Sequence, residues 1–347
     1  AASHLGRPKG KKSEKDSLQP VRAKLSELLG IEVGWASDCT GAEAEQKAGD
    51  LRPAGILLLE NLRFHAGEEG NDPAFAGALA RLADLYVNDA FGASHRAHAS
   101  IVGVPERFGR DRIAAGLLLA REVEFLEKVT DIRDEDRPFV AILGGAKIKG
   151  KIEPLEAMAR LADTLLIGGG MANTFLKASG HEIGASLVDD DSIEIARKLI
   201  AGKHRARLLL PDDVVVTDSF DAPVRIRTAP VSGIAAGEMA VDIGIQTVIA
   251  YIEEIAKAKT IFWNGPMGVF EREEFASGTM SVAKAVAEAS AVSVVGGGES
   301  VEAVRKSGMA DQITHVSTGG GASLEFIAGQ KLPGVEILRS GEDGSGD

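Results

Sequence analysis

Five times in this chain an apolar stretch of strand length runs into a cluster of glycines. Residues 139–143 precede Gly144-Gly145-Ala146-Lys147, 164–167 precede Gly168-Gly169-Gly170, and 260–263 precede Asn264-Gly265-Pro266-Met267-Gly268. Residues 291–295 precede Gly296-Gly297-Gly298-Glu299, and Thr318-Gly319-Gly320-Gly321 forms the fifth turn. Near-continuous apolar strands are buried on both faces, as in a parallel sheet covered by helices. The carboxyl ends of such strands share one edge, so the five turns are expected to converge on one crevice with helix N-termini behind them. Free backbone N–H groups and the helix dipole suit that edge to phosphate. One glycine turn is explained by tight packing alone; five together favour phosphate binding.

At 347 residues the chain exceeds what one core usually supports, and two domains are expected. Strands at 56–59 and 85–88 alternate with helical stretches at 18–29 and 73–82, which again reads as a parallel sheet. An amphipathic stretch at 117–129 and the charged run 130–136 mark the boundary. The expected division is a domain over 1–118, an interdomain helix and hinge over 119–136, a second domain over 137–335 and a tail over 336–347. Residues 341–347 are Gly, Ser and acid only, a composition that predicts disorder.

The formal net charge of −12 opposes binding to nucleic acid or an anionic membrane, so phosphate chemistry has to use local positive sites. No apolar run approaches the roughly 18 residues of a membrane helix, and no signal peptide is visible. Cys39 is the single cysteine. It excludes an intramolecular disulfide and a multi-cysteine metal cluster, suits a reducing cytoplasm, and is read as a buried structural thiol.

Two common phosphate motifs fail. Residues 145–151 have the spacing G-x-x-x-x-G-K, but Ile152 stands where a Ser or Thr would hold magnesium. No glycine cluster continues as G-x-G-x-x-G, since Gly168 and Gly170 run on to Asn173. Lys147 and Lys151 lie four apart where a strand gives way to a helix, a spacing that presents two ammonium groups on one face, either toward transferring phosphate or as a solvated pair. Glu299 follows three glycines and is a candidate magnesium ligand, or a first-turn glutamate serving the helix dipole. Glu271 is a candidate acceptor for ribose hydroxyls, or a plain surface acid. In the first third, His4, Arg7, Arg63, Arg96 and His98 form a set suited to a small anionic substrate, because guanidinium grips phosphate and carboxylate bidentately. Segment 94–98 superficially suggests zinc, but it has neither a cysteine partner nor the H-E-x-x-H spacing.

At these residues the chain resembles the phosphoglycerate kinase family. The resemblance lies in 4–10 (HLGRPKG), 57–64 (LLLENLRF), 86–100 (YVNDAFGASHRAHAS), 141–147 (AILGGAK), 167–172 (IGGGMA), 262–271 (FWNGPMGVFE) and 315–325 (HVSTGGGASLE), in the family's order from His4 to about Leu338. It implies an α/β protein of two Rossmann-like three-layer domains with parallel sheets facing a cleft, joined by a hinge helix. It also implies reversible phosphoryl transfer between ATP and 3-phosphoglycerate (1,3-bisphosphoglycerate and ADP on the other side) in glycolysis, with Mg2+, in a cytoplasmic monomer. By motif, His4, Leu5, Gly6, Arg7, Arg63 and Arg96 correspond to substrate binders. Lys147, Lys151, Gly298 and Gly320 correspond to catalytic positions. Lys151, Gly168, Gly169, Gly170, Gly244, Asn264, Glu271, Gly296, Gly297, Gly298, Glu299 and Ser300 correspond to the nucleotide pocket, with Glu299 toward the metal. The chemistry agrees: a carboxylate nucleophile is ionised at neutral pH and needs no general base, which leaves positioning and charge stabilisation.

Three departures from the family pattern stand out. The sequence opens at Ala1-Ala2-Ser3-His4 without a preceding strand, so a V-D-F-N-V-P-like strand and a later arginine are expected upstream, roughly 60 residues at about 30 per β–α unit. Glu299 stands where the family usually has Asp, and Lys149-Gly150 where it usually has Ser-Asp. Were the upstream segment truly absent, the reading would become a catalytically impaired nucleotide-binding remnant with exposed sheet edges. A nicotinamide dehydrogenase is favoured only by the α/β pattern, and the failed fingerprint counts against it.

Overall fold

The computed structural model describes residues 1–339; the expected disordered segment 341–347 lies outside the described residues. The chain forms two compact units, Ala1–Ala120 together with the segment from Lys331, and Arg121–Gln330. The division falls within one helix, and none of the described helices is long and apolar enough to cross a membrane.

In the first unit, α1 (Gln19–Leu29) leads to β1 (Val33–Ala36), and α2 (Ala42–Gly49) to β2 (Ile56–Leu59). Two short helices, α3 (Ala66–Glu69) and α4 (Pro73–Ala80), precede β3 (Tyr86–Asn88) and β4 (Ile113–Ala115). Asp72 caps α4 by accepting from Phe75 N–H at 2.7 Å, and Pro73 occupies the first turn, where its missing N–H costs nothing. The expected single sheet is instead two parallel pairs, β1 with β2 and β3 with β4. A cavity of about 1150 Å³ lies between β2 and β3, lined by apolar residues such as Leu57, Leu79, Val87 and Ile101. Residues 1–3 run beside β2: Ala1 carbonyl accepts from Leu59 N–H at 2.9 Å and Ser3 carbonyl from Leu62 N–H at 3.1 Å.

The second unit begins within α5 (Leu117–Thr130) and continues through β5 (Phe139–Leu143), α6 (Ile152–Leu161), β6 (Thr164–Ile167), α7 (Gly169–Ala178), α8 (Ile193–Ala201) and β7 (Arg207–Leu209). An antiparallel sheet follows, in which β8 (Asp213–Thr217) lies between β9 (Ile226–Pro230) and β10 (Met239–Ile243). After α9 (Ile245–Lys257) come β11 (Thr260–Asn264), α10 (Ser277–Glu288), β12 (Val292–Gly296), α11 (Gly298–Lys306), β13 (His315–Val316) and α12 (Gly321–Ile327). The main sheet has six parallel strands in the order β13-β12-β11-β5-β6-β7.

Alternation along these strands builds the core. Val140, Ile142, Ile261, Trp263, Leu166 and Val295 face α9, α10 and α11, meeting Tyr251, Ile255, Val282, Val286 and Val304 in one buried cluster. Their neighbours Phe139, Ala141, Leu143 and Phe262 are equally buried, with α6 packed against β5 and β6. Residues 336–339, expected to begin a tail, belong to a last helix, α13 (Pro333–Arg339), which counts with the first unit. There Gly334 N–H donates to Ser94 carbonyl at 2.9 Å, and a Cβ at Gly334 would come within 2.7 Å of Ile101.

Tyr251 is 1% exposed, and its hydroxyl reaches Ile167 carbonyl at 2.7 Å and Leu209 carbonyl at 3.1 Å, tying α9 to the ends of two strands. Tyr251→Phe leaves these buried acceptors without that donor. We expect a loss of about 1–3 kcal/mol in urea unfolding with an unchanged m-value.

Candidate functional site

In the second unit the five glycine turns all follow strands of the same six-stranded sheet, at its carboxyl edge. Three of them are knitted by backbone hydrogen bonds: Gly144 N–H to Asn264 carbonyl (3.0 Å), Gly145 N–H to Pro266 carbonyl (2.9 Å), Gly169 N–H to Met267 carbonyl (2.8 Å) and Met171 N–H to Gly145 carbonyl (2.9 Å). Helices α7, α11 and α12 begin directly at the second, fourth and fifth turns. The third differs from expectation, since residues 265–276 cross the edge as a loop before α10.

Much of the glycine content here is packing. A Cβ at Gly144 would meet Pro266 carbonyl at 2.1 Å, one at Gly170 Ala146 carbonyl at 2.5 Å, and one at Gly168 the Met267 sulfur at 2.5 Å. Gly169 would meet the Gly145 carbonyl at 2.8 Å. Gly244 is held to glycine by Asp213, whose carboxylate caps α9 by accepting from Gln246 and Thr247 N–H. Gly298 is different. It opens α11, its backbone is not in the left-handed region, and nothing lies within 4 Å of where its Cβ would stand. Neither packing nor strain demands glycine there, and the lack of a side chain leaves the N–H groups of the helix N-terminus open to close approach. Gly320, with φ +51° and open space around it, ends the fifth turn.

Lys147 and Lys151 do not lie on a helix face. They sit in the irregular turn before α6, with Lys151 as its N-cap, because Gly145 and Gly150 adopt positive φ and keep the segment from coiling. Lys147 is exposed; the carboxylate that feels its charge is Asp189. Burial pushes Asp189 up, but hydrogen bonds from Lys149 N–H and Ser192 together with Lys147 outweigh it and hold it low. Lys151 is drawn in: its ammonium donates to Gly144 carbonyl at 2.9 Å. Burial lowers its pKa, and Glu299 opposes that shift. A Cβ at Gly145 would stand 3.2 Å from Lys151 Nζ and 3.6 Å from Glu299 Oε2, so cation, carboxylate and bare backbone surround one small space.

Next to it lies a cavity of about 330 Å³, to which Gly169, Gly170, Glu271 and Glu299 contribute with Gly145. Asn264 and Ser300 join two of the turns: Asn264 Nδ2 donates to Gly296 carbonyl at 3.0 Å, and Ser300 Oγ accepts from Gly265 N–H, locking the third and fourth turns together. Gly168, Gly244, Gly296, Gly297 and Gly298 all lie outside that cavity's lining. The sequence reading missed the wall supplied by the antiparallel sheet and its β8–β9 loop, including Val214, Phe220, Ala240 and Asp242. The run Val214-Val215-Val216 was the available signal. Burial drives Asp242 up to about 7 against N–H donors from Gly278 and Ile243, which places a titrating carboxyl on that wall.

In the first unit a separate cationic cluster forms. Burial and then Arg63, with Arg96 adding to it, push His4 and His98 down, and Arg96 and Arg7 act on Arg63. Asn61 folds the segment, its Nδ2 donating to Leu5 carbonyl (2.7 Å) and Asp16 carbonyl (2.8 Å) while its Oδ1 accepts from Arg63 N–H (3.0 Å). Gly6 carbonyl accepts from Arg63 Nη1 at 2.9 Å, so Leu5 and Gly6 act through backbone, while Arg7 is exposed. Arg63 is 6% exposed, and its buried Nε finds no hydrogen-bond partner among the described residues; Glu69 is 3.5 Å away. Arg63 and its cationic neighbours, with Glu69 as the nearby carboxylate, form a group suited to an anion. Glu68, which sequence reasoning passed over, is buried and accepts from Ser100 N–H (3.0 Å) and Oγ (2.6 Å), bracing the loop of Arg96 and His98.

Burial first, then Arg63, His98 and Arg96, push His4 down to about 4 from 6.5. The folded state therefore binds this proton less readily than the unfolded chain. Its stability contribution is intact above pH 6.5 and declines as pH falls toward 4. By NMR, His4 is expected to titrate near 4, and Arg63→Ala is expected to move the midpoint upward.

A family model described as Phosphoglycerate kinase matches residues 1–330. The chain is 53% identical to a protein named phosphoglycerate kinase from Moorella thermoacetica, over 97% of this chain and 85% of the relative. It is equally identical, at 53%, to one from Koribacter versatilis with the same coverage of each chain. Its structure is similar to that of phosphoglycerate kinase from Coxiella burnetii, with a TM-score of 0.86 at 39% identity, covering 98% of this chain and 85% of the other. The chain belongs to the phosphoglycerate kinase family.

Proposed function

We propose that this chain transfers a phosphoryl group reversibly between ATP and the carboxylate of 3-phosphoglycerate, with the nucleotide held by the second unit and the acceptor by the first. The observation that carries this reading is Gly298, a glycine at a helix N-terminus that neither packing nor strain requires, beside a half-buried lysine and an exposed carboxylate. Family membership supports the same reading. The nucleotide's phosphates would lie over the N-termini of α7 and α11 and the turn at 144–147. Its base and ribose would enter the 330 Å³ cavity toward Glu271.

Glu299 is exposed and offers a hard oxygen donor with Lys151 beside it, which fits magnesium, an ion that takes one or two carboxylates and leaves its other positions to water and phosphate oxygens. When bound, the ion would neutralise charge on the nucleotide's phosphates. Lys151 exchanges its contact with Gly144 carbonyl for a transferring phosphate oxygen, whose charge offsets the burial that disfavours the ammonium. Lys147, free in solvent, adds a second cation over the same turn. Gly298 and Gly320 present backbone N–H groups to the charge that spreads over the transferring group.

In the first unit, Arg63, His4, Arg7 and Arg96 take the phosphate of 3-phosphoglycerate, leaving its carboxylate as the nucleophile. That carboxylate is ionised near neutral pH, so no base has to act. Transfer requires a state in which the two ligands are adjacent and water is excluded, and we assign the bending to residues 119–136. A cytoplasmic monomer is the accompanying proposal, consistent with the lone cysteine and the net charge of −12.

Calorimetric titration with MgADP tests the nucleotide half. One equivalent is expected to bind, with Lys151→Ala weakening binding at least about tenfold and lowering turnover in a coupled assay by about 10²–10³-fold. A folded chain that binds no MgADP would remove the proposal.

A further inference from the structure

Away from both clusters, three side chains of the first unit carry the donor set of a metal centre. Asp38 and Cys39 follow β1, His65 immediately precedes α3, and one ligand atom from each lies within 4.8 Å of the other two. The atoms are a carboxylate oxygen, a sulfur and an imidazole nitrogen, the mixture that borderline divalent ions prefer and that magnesium and calcium do not.

The three are held in place by contacts among themselves and with their neighbours. His65 Nε2 lies 2.6 Å from Asp38 Oδ1, and Cys39 N–H donates to the same oxygen at 2.7 Å. The His65 ring stacks on Phe75 with centroids 5.0 Å apart and planes at 25°, which restrains the imidazole. Cys39 is wholly buried in the apolar cluster of Leu57, Leu62 and Phe75, so sulfur closes the inner side. The Asp38 and His65 side chains are about one third exposed, at 31% and 32%, so the outer side opens to solvent. The cation now at this position is Lys12, whose Nζ is 3.1 Å from Asp38 Oδ2 on a side chain that is 60% exposed and able to withdraw.

A single cysteine excludes multi-thiolate clusters only; a mixed site of one sulfur, one nitrogen and one oxygen remains open to this composition.

We propose that Asp38, Cys39 and His65 form a three-ligand site for a divalent cation of the zinc class, with water in the fourth position. The charges balance: the thiol proton leaves to solvent, the imidazole proton at Nε2 moves to Nδ1, and thiolate and carboxylate together neutralise the ion. The site is separate from any magnesium requirement of the kinase reading and does not rest on that reading. Occupancy joins the loop after β1 to the segment two residues beyond Arg63.

Cobalt(II) is the probe, titrated into the full chain without an affinity tag after stripping with a chelator. We expect one equivalent to produce a thiolate-to-cobalt charge-transfer band in the near ultraviolet and the visible bands of a four-coordinate ion, both bleached by zinc. Cys39→Ala removes the charge-transfer band. His65→Ala and Asp38→Asn, changes at partly exposed positions, weaken cobalt binding by about 100-fold, since even outer-shell changes cost 10–100-fold at such sites. A chain folded by circular dichroism that shows no near-ultraviolet band overturns the site. Cobalt affinity equal to wild type in both the His65 and Asp38 variants overturns it as well, because it would place the ion elsewhere.

Discussion

Because β11 pairs with β5 from Thr260 opposite Phe139 to Asn264 opposite Leu143, and with β12 up to Asn264 opposite Gly296, three strands end at one level. The register carries outward on both sides, to Ile167 opposite Leu143 and Val316 opposite Val295. Once the sheet has formed, the chain has no freedom over where its glycine turns begin. Their carbonyl and N–H groups meet each other across the edge, as in the bonds from Gly144 to Asn264 and from Gly168 to Leu143. A slip of one residue in any strand would invert its alternating core contacts and also move its turn off the common edge, so the packing that stabilises the sheet and the placement of the site are the same constraint.

Within that edge glycine serves two purposes that the sequence does not separate. At Gly144, Gly168 and Gly170 the facing surface is backbone or a buried sulfur, and any Cβ would have to displace it. At Gly298 there is only space. The first group lets three turns interlock closely enough to support one another; the second leaves N–H groups bare where a charged group can reach them. Asn264 and Ser300 belong with the first purpose. Their side chains satisfy backbone groups between turns, which makes them supports of the edge.

The parallel sheet was legible because its strands are apolar throughout and punctuated by glycine, a pattern with few physical explanations. Helices 19–29 and 117–130 were legible from periodicity to within a residue or so. The antiparallel sheet was not, because Ile226–Pro230 mixes exposed and buried positions and carries Arg227, which reads as loop until Glu238 pairs with it at 2.8 Å. With that sheet went the second wall of the cavity. The pairing of Lys147 with Lys151 was misjudged for another reason: spacing of four implies one face only in a helix, and two positive-φ glycines keep this segment out of one. In the first unit the cationic residues were legible as types, but Glu68 and Asn61, which hold them, looked like ordinary polar residues until their buried hydrogen bonds were visible.

The fifth turn shows how a buried charge extends the logic of the edge. Glu122 on α5 is fully buried, and one of its oxygens accepts from both the N–H and the hydroxyl of Thr318 at 2.6 Å, while the other meets His315 at 2.8 Å. Burial alone would raise this carboxyl, but the donors from His315 and Thr318 outweigh it and hold it ionised. Phe125, one turn further along α5, stacks on the His315 ring with planes 8° apart. A carboxylate buried this completely is tolerated only while every donor stays in place, because removing one leaves charge without compensation in an apolar surround. The helix in which the two units divide is therefore fastened to the turn that ends in Gly320. Any displacement of α5 that loosened Glu122 would be felt first at Thr318, within the glycine edge itself.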